Sequence, residues 1–238
     1  MLHLSLRSEN GSEHTLSYNT SRLKRFTRLT PDTISITRHF RPERERVEQF
    51  IAGVFAREYG ARIHTHYPVL MSVRNREDVI LGALGFRCAA DEPLFLEQYL
   101  DAPVEEAVSG VYGMPAAREG IIEIGSLASE GDGASIFLIT ALMAYLQQQG
   151  FRHVTFTATS YLYKYFRVIG VDPCVIAAAD QSRLSDGGAS WGSYYDAQPR
   201  VIAGDVGFAA RRLHEHLGVT LSPQHSGLLT RLHYREEP

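Results

Sequence analysis

The chain has 238 residues, with 24 Lys+Arg against 27 Asp+Glu, a formal net charge of −3 at pH 7, and 44% apolar and 21% charged residues. A chain of this length and balance buries a sizeable core. The composition excludes a disordered, collagen-like or disulfide-stapled protein, and the near-neutral charge, without a zinc-finger or RNA-binding signature, argues against a nucleic-acid partner. Two cysteines, Cys88 and Cys174, fit a reducing compartment. No apolar run approaches the roughly 18–20 residues of a membrane span, and Met1 to Arg7 lacks the basic and long apolar regions of a signal peptide. A cytoplasmic protein with no transmembrane segment is the expectation.

Residues 1–32 are rich in Ser, Thr and Asn and read as a weakly structured polar extension. Arg22, Lys24, Arg25 and Arg28 cluster there, and the first fifty residues hold 9 Lys+Arg against 6 Asp+Glu. The cluster is either a solvated arm or a docking surface for an acidic partner, such as a carrier protein or an anionic lipid. Ile34 and Ile36 alternate within Thr33 to Thr37, a strand signal. Pro42 opens a helix with Val47, Phe50, Ile51, Val54 and Phe55 on one face, ended by Gly60. Tyr67 to Arg74 and Val79 to Cys88 form a hairpin about a polar turn.

Leu94 to Leu100 reads as short and helical, and Pro103 opens another helical piece through Val108. A strand from Ile121 to Ala128 turns at Gly131-Asp132-Gly133 into a long helix, Ala134 to Gln149, followed by a strand from Arg152 to Ala158. A helix from Ser160 to Val168, a strand from Cys174 to Ala179, a strand near Val201 and a helix from Asp205 to His216 complete the chain. This order predicts an α/β protein whose helices cover a mixed sheet. It resembles the Gcn5-related N-acetyltransferase (GNAT) fold, with a mostly antiparallel sheet. The expected organisation is the extension, a domain over 33–204, and a C-terminal helix and tail over 205–238.

The most informative local unit is the strand–glycine–helix segment from Glu123 to Ala134. A strand that ends at glycines opening a helix leaves main-chain N–H groups outward, which makes an anion site or simply a tight connection. Asp132 and Glu130 would repel a phosphate, and Asp132 is a candidate cap for the helix. Glu123, between Ile122 and Ile124, is either an exposed strand carboxylate or a base lining a cleft. Glu97, Tyr99 and Asp101 have the same ambiguity. Tyr161, Tyr163, Tyr165 and Phe166 crowd one helix as packing residues or as an acid for a leaving thiolate. Trp191-Gly192-Ser193-Tyr194-Tyr195 lines a tunnel or plugs the end of the sheet. The pairs His64/His66 and His214/His216 lack a third ligand at useful spacing, so no metal is expected. Ser126 is not in a nucleophile elbow, and Cys88 and Cys174 read as buried thiols.

Leu94 to Asp101, Glu123 to Ala128, Phe156 to Thr159 and Trp191 to Tyr195 together resemble the thermostable haemolysin family, over about Arg41 to Asp205. That family is similar to the acyl-homoserine-lactone synthases, as Gly82 to Arg87 leading to Pro93 to Leu96 also shows. Those synthases carry an arginine three residues after the strand glutamate, where this chain has Ser126. The acetyltransferase glycine pattern is met at Gly131 and Gly133, but its first position is Ala128, and the place of the usual acid tyrosine holds Phe166.

The resemblance implies an N-acyltransferase that takes an acyl-CoA or acyl-carrier-protein thioester as co-substrate and a small-molecule amine as acceptor. It implies Glu123, Ser126 and Glu97 at the chemistry, and Leu127, Ala128, Gly131, Gly133 and Ala134 at the donor. Arg87, Phe95, Tyr99, Thr157, Trp191 and Tyr194 would meet the acceptor and acyl group. The competing readings are a haemolysin that damages membranes directly and a catalytically inactive acyl-binding module.

Overall fold

The computed structural model describes residues 1–7, 13–38, 42–64 and 67–223. Its strands are β1 (Leu2–Arg7), β2 (Glu13–Tyr18), β3 (Thr33–Thr37), β4 (Val69–Arg74), β5 (Ile80–Cys88), β6 (Ile121–Ser129), β7 (His153–Ala158), β8 (Cys174–Ala178), β9 (Arg200–Asp205) and β10 (Thr220–Pro223). Its helices are α1 (Thr20–Leu23), α2 (Pro42–Tyr59), α3 (Val104–Tyr112), α4 (Ala134–Gln148), α5 (Ser160–Val168) and α6 (Val206–Leu217). The strands make one sheet in the order β10-β2-β1-β3-β4-β5-β6-β7-β9-β8. Every neighbouring pair is antiparallel except β1/β3 and β6/β7, so the sheet is mixed and mostly antiparallel, as its element order predicts.

Two apolar layers cover the sheet. On one face α4 and α6 pack with Leu4, Leu6, Leu16 and Ile34 of the first strands. On the other, Val47, Ile51, Val54 and Phe55 of α2 and Val104 and Val108 of α3 pack with Leu70, Ala83 and Val201. Helix α4 is buried around most of its circumference, from Ile136 through Leu146, as a helix that is apolar all round must be. It joins the parallel pair β6 and β7, which cannot be linked by a tight turn.

The first 32 residues differ from the expectation of a weakly structured extension. Leu2, Leu4 and Leu6, and Leu16 and Tyr18, alternate with polar residues, and β1 and β2 pair along six positions. Tyr18 is completely buried and bonds Thr140 Oγ1 of α4 at 2.8 Å. Alternation outweighs polar composition here, because a strand covered by helices on one side needs only one apolar face. Strand β10, in the expected C-terminal tail, likewise adds to β2. Leu16→Ala should therefore lower stability by about 2–5 kcal/mol, the cost of truncating a buried leucine. A denaturant titration checks this; an unchanged midpoint would mean an appendage outside the folded core.

Candidate active site

The site is built where β5, β6 and β7 meet. Arg87 lies directly opposite Glu123 across β5 and β6, and Gly85 lies opposite Gly125. The two-residue period of a strand puts all four on one face. Tyr67 lies across the glycine pair. A Cβ at Gly85 would stand 2.6 Å from the Tyr67 Cβ, and one at Gly125 would overlap the Tyr67 hydroxyl. The glycines are flat because an aromatic ring occupies the space their side chains would fill.

Glu123 is 1% exposed, so the alternative of a solvent-facing strand carboxylate does not hold. Its Oε2 accepts the Phe95 N–H at 3.0 Å and its Oε1 the Leu96 N–H at 2.9 Å, and the Tyr67 hydroxyl also donates to it. The Arg87 Nε is 3.2 Å from Oε2 but is not aligned for a hydrogen bond, so this pairing is coulombic. The guanidinium also stacks 4.4 Å from the centre of the Tyr67 ring and reaches Glu92 at 3.3 Å. Burial pushes the Glu123 carboxyl up to about 7, against the pull of Arg87, the two N–H groups and Tyr67.

Beyond Ile124 and Phe156 the pairing of β6 with β7 ends, while β6 runs on to Ser129. Its edge there has no partner strand among the described residues. On its other side β6 sets two residues, Ser126 and Leu127, against the single Leu84, a bulge that holds Ser126 at φ 52°. Gly131, Asp132 and Gly133 follow, all with positive φ, and lead into α4. Asp132, a candidate cap, does not cap the helix: Gly133 is the cap, with no side-chain cap hydrogen bond. The Asp132 carbonyl instead accepts the Thr27 hydroxyl at 2.5 Å.

A cavity of about 990 Å³ occupies this opening. Tyr67, Arg87, Phe95, Tyr99, Trp191 and Tyr194 line it on the α2 face, and Ile139, Met143, Phe166 and Val171 line it on the α4 face. Ser126, Leu127 and Thr157 stand between. The cavity therefore passes through the sheet where β6 and β7 part. Gly131 and Gly133 also line it. The Tyr165 hydroxyl of α5 is buried without a hydrogen-bond partner among the described residues, and the residue borders the same space.

Several expected residues lie elsewhere. Glu123 is not in the cavity wall; it touches Tyr67 and Arg87, which are. Ala128 and Ala134 are core residues. Glu97 is bound by both terminal nitrogens of Arg118, at 2.7 and 2.8 Å, and by the N–H groups of Leu94 and Val104. It is spent on holding the 3-10 turn Phe95–Tyr99 and the start of α3. His66 lies outside the described residues; His214 Nδ1 is 2.8 Å from the Val219 carbonyl. Cys88 and Cys174 are half-buried and free. Nothing local marks Tyr67 for this place: the sequence puts it at the start of a strand, whereas it precedes β4, and only its contact with the distant glycines 85 and 125 reveals it.

The Arg118 guanidinium holds the Glu97 carboxyl down to about 2, well below its ordinary value. A carboxylate with a depressed folded-state value stabilises above its unfolded value, and loses that contribution as pH falls through the folded one. Glu97→Gln should thus lower the unfolding midpoint near neutral pH, with the difference closing as pH approaches 2. Thermal melts across that range measure it, and a pH-independent difference would contradict an ionic role.

A family model described as "Thermostable hemolysin" matches residues 37–210. No curated protein matches the sequence. Among solved structures, the acyl-homoserine lactone synthase LasI is 14% identical with a TM-score of 0.53, covering 77% of this chain and 94% of its own. FeeM, an N-acyl amino acid synthase from uncultured soil microbes, gives 14%, 0.53, 77% and 95%. BjaI, a CoA-dependent acyl-homoserine lactone synthase seen with SAM and isopentyl-CoA, gives 14%, 0.54, 78% and 89%. At this identity the likeness shows the fold, which is the GNAT-like one.

Proposed function

The chain belongs to the thermostable haemolysin family, and from the site it carries we propose that it is an N-acyltransferase. It would move an acyl group from the thioester of coenzyme A or of a carrier protein to a small-molecule amine. The observation that carries this reading is a buried carboxylate of raised pKa, wired through a tyrosine to the wall of a cavity that crosses the sheet beside an unpaired strand edge. The cavity volume, about 990 Å³, suits an extended ligand with an apolar tail. Its α4-side wall of Ile139, Met143, Phe166 and Val171 suits the acyl chain. The glycine turn into α4 suits the donor's phosphates.

In this mechanism the acceptor ammonium gives its proton to the Tyr67 oxygen while Tyr67 passes its own to Glu123, so the neutral amine forms inside the cavity. The amine nitrogen attacks the thioester carbon, and main-chain N–H groups of the 125–128 edge hold the oxyanion. Collapse breaks the C–S bond, and the leaving thiolate takes a proton from Tyr165, whose hydroxyl has no other partner among the described residues. The nitrogen then gives its surplus proton to the Tyr165 oxygen, directly or through water, which leaves the neutral amide and the neutral tyrosine. Ser126 shapes the bulge, and Phe95, Tyr99, Trp191 and Tyr194 form the aromatic wall about the acceptor. Glu97 acts only by fixing the turn that presents the Phe95 and Leu96 N–H groups to Glu123.

The base is the carboxylate form, so kcat/KM for thioester aminolysis should rise with pH through about 7, as Glu123 loses its proton. Glu123→Gln should abolish that limb and lower the rate about 10²–10⁴-fold, and Tyr67→Phe should do the same while thioester binding persists. Thiol release followed across pH measures this. Binding without turnover in the unsubstituted protein would instead indicate an acyl-binding module. Haemolysis on this reading belongs to a detergent-like acylated product, so purified protein without substrates should leave red cells intact; lysis under those conditions would favour a direct toxin. Among the described residues no helix is long and apolar enough to cross a membrane.

A further inference from the structure

We propose that Lys24, Arg25 and Arg28, with Arg22 beside them, form a docking surface for an acidic acyl carrier protein at the mouth of the donor cavity. This rests on the acyltransferase reading and selects between its two donors. Residues 14–31 contain these four cations and no Asp or Glu. All four are exposed. No ion pair engages Lys24, Arg25 or Arg28 among the described residues, while Arg22 gives one nitrogen to the Glu215 carbonyl at 2.6 Å.

Their position is fixed. Asn19 caps α1 through the N–H groups of Ser21 and Arg22, Leu23 is buried, and the preceding strands belong to the sheet. The turn after α1 then lands on the glycine turn. Thr27 Oγ1 donates to the Asp132 carbonyl, and the Phe26 carbonyl closes on Gly133 so tightly that a Cβ there would stand 2.6 Å from it. Arg25 and Arg28 each adjoin one of these two contact residues, about 3.8 Å away along the backbone. Nearby carboxylates do little to offset the charge. Glu130 is paired with Arg57 at 3.1 Å, which leaves Asp132 as the acid on the turn without an ion pair among the described residues.

Cations spread over an exposed, rigid surface attract a large polyanion more than they hold a small one, because long-range steering sums over every charge in reach. The phosphates of a free cofactor would bind within the glycine turn itself. A carrier protein must also rest its own surface against the cavity mouth. The segment lies before the family-matched residues 37–210, so the surface is supplied by this chain's N-terminal strands and turn.

The test is a triple charge reversal, Lys24→Glu with Arg25→Glu and Arg28→Glu, assayed with one acyl group on a bacterial acyl carrier protein and on coenzyme A. The carrier-borne donor should lose about tenfold or more in kcat/KM, mostly through KM, and lose its steep salt dependence. The coenzyme A donor should change by less than about twofold. Equal losses with both donors, or none with the carrier, would overturn the proposal. Direct titration of the carrier protein against the full chain at low salt separates the two readings. Carrier binding that the reversal weakens, with no acyl transfer from either donor, keeps the docking surface and removes the acyltransferase. Transfer from coenzyme A with no carrier binding does the opposite.

Discussion

The carboxylate of Glu123, enclosed in the middle of the sheet, is the constraint around which the rest of the site is arranged. A charge taken out of water costs several kcal/mol unless its surroundings replace the lost hydration. Here the replacement comes from four directions: the N–H groups of Phe95 and Leu96, the Tyr67 hydroxyl and the field of Arg87. Each has its own requirement. Arg87 needs the β5/β6 register, Tyr67 needs glycine at both 85 and 125, and the two N–H groups need a 3-10 turn. That turn is held by the ion pair of Glu97 with Arg118. A second acidic residue thus serves the first by holding this turn.

The opening of the sheet supplies a cavity beside this carboxylate, with Tyr67 and Arg87 in its wall. Strand β6 outruns its parallel neighbour, and its bulge and glycine turn lead directly into a helix with almost no exposed side. The unpaired edge, the turn and the apolar wall of α4 are therefore consecutive in the chain. An amphiphilic thioester has the same sequence of needs: phosphate at one end, a polar reacting centre, and an apolar tail. The N-terminal strands extend the same architecture outward, because the turn after α1 braces the glycine turn and brings its cations there.

Most elements were legible from residue periodicity. The helices with apolar faces and the alternating strands of the central sheet fall within a few residues of their expected bounds, because burial on one face imposes a spacing that any chain must obey. Glu123 and the glycine turn also stood out, since a carboxylate between isoleucines and glycines before a helix are locally unusual. The difference between Glu123 and Glu97 was not legible. Both are acids near apolar neighbours, and only the approach of Arg118 to one and of Tyr67 to the other separates them.

The sequence by itself determined the class of fold and the position of the glycine turn, because these follow from local spacing and side-chain chemistry. Tertiary structure decided that Glu123 is the acid buried against Tyr67 and Arg87, that Tyr67 stands between it and the cavity, and that a polar N-terminal segment is part of the sheet beside the turn. Those relations join residues such as Tyr67 and Gly125, or Thr27 and Asp132, that are far apart in the chain. No local pattern encodes such a contact; it exists only once strand register and helix packing have brought the two surfaces together.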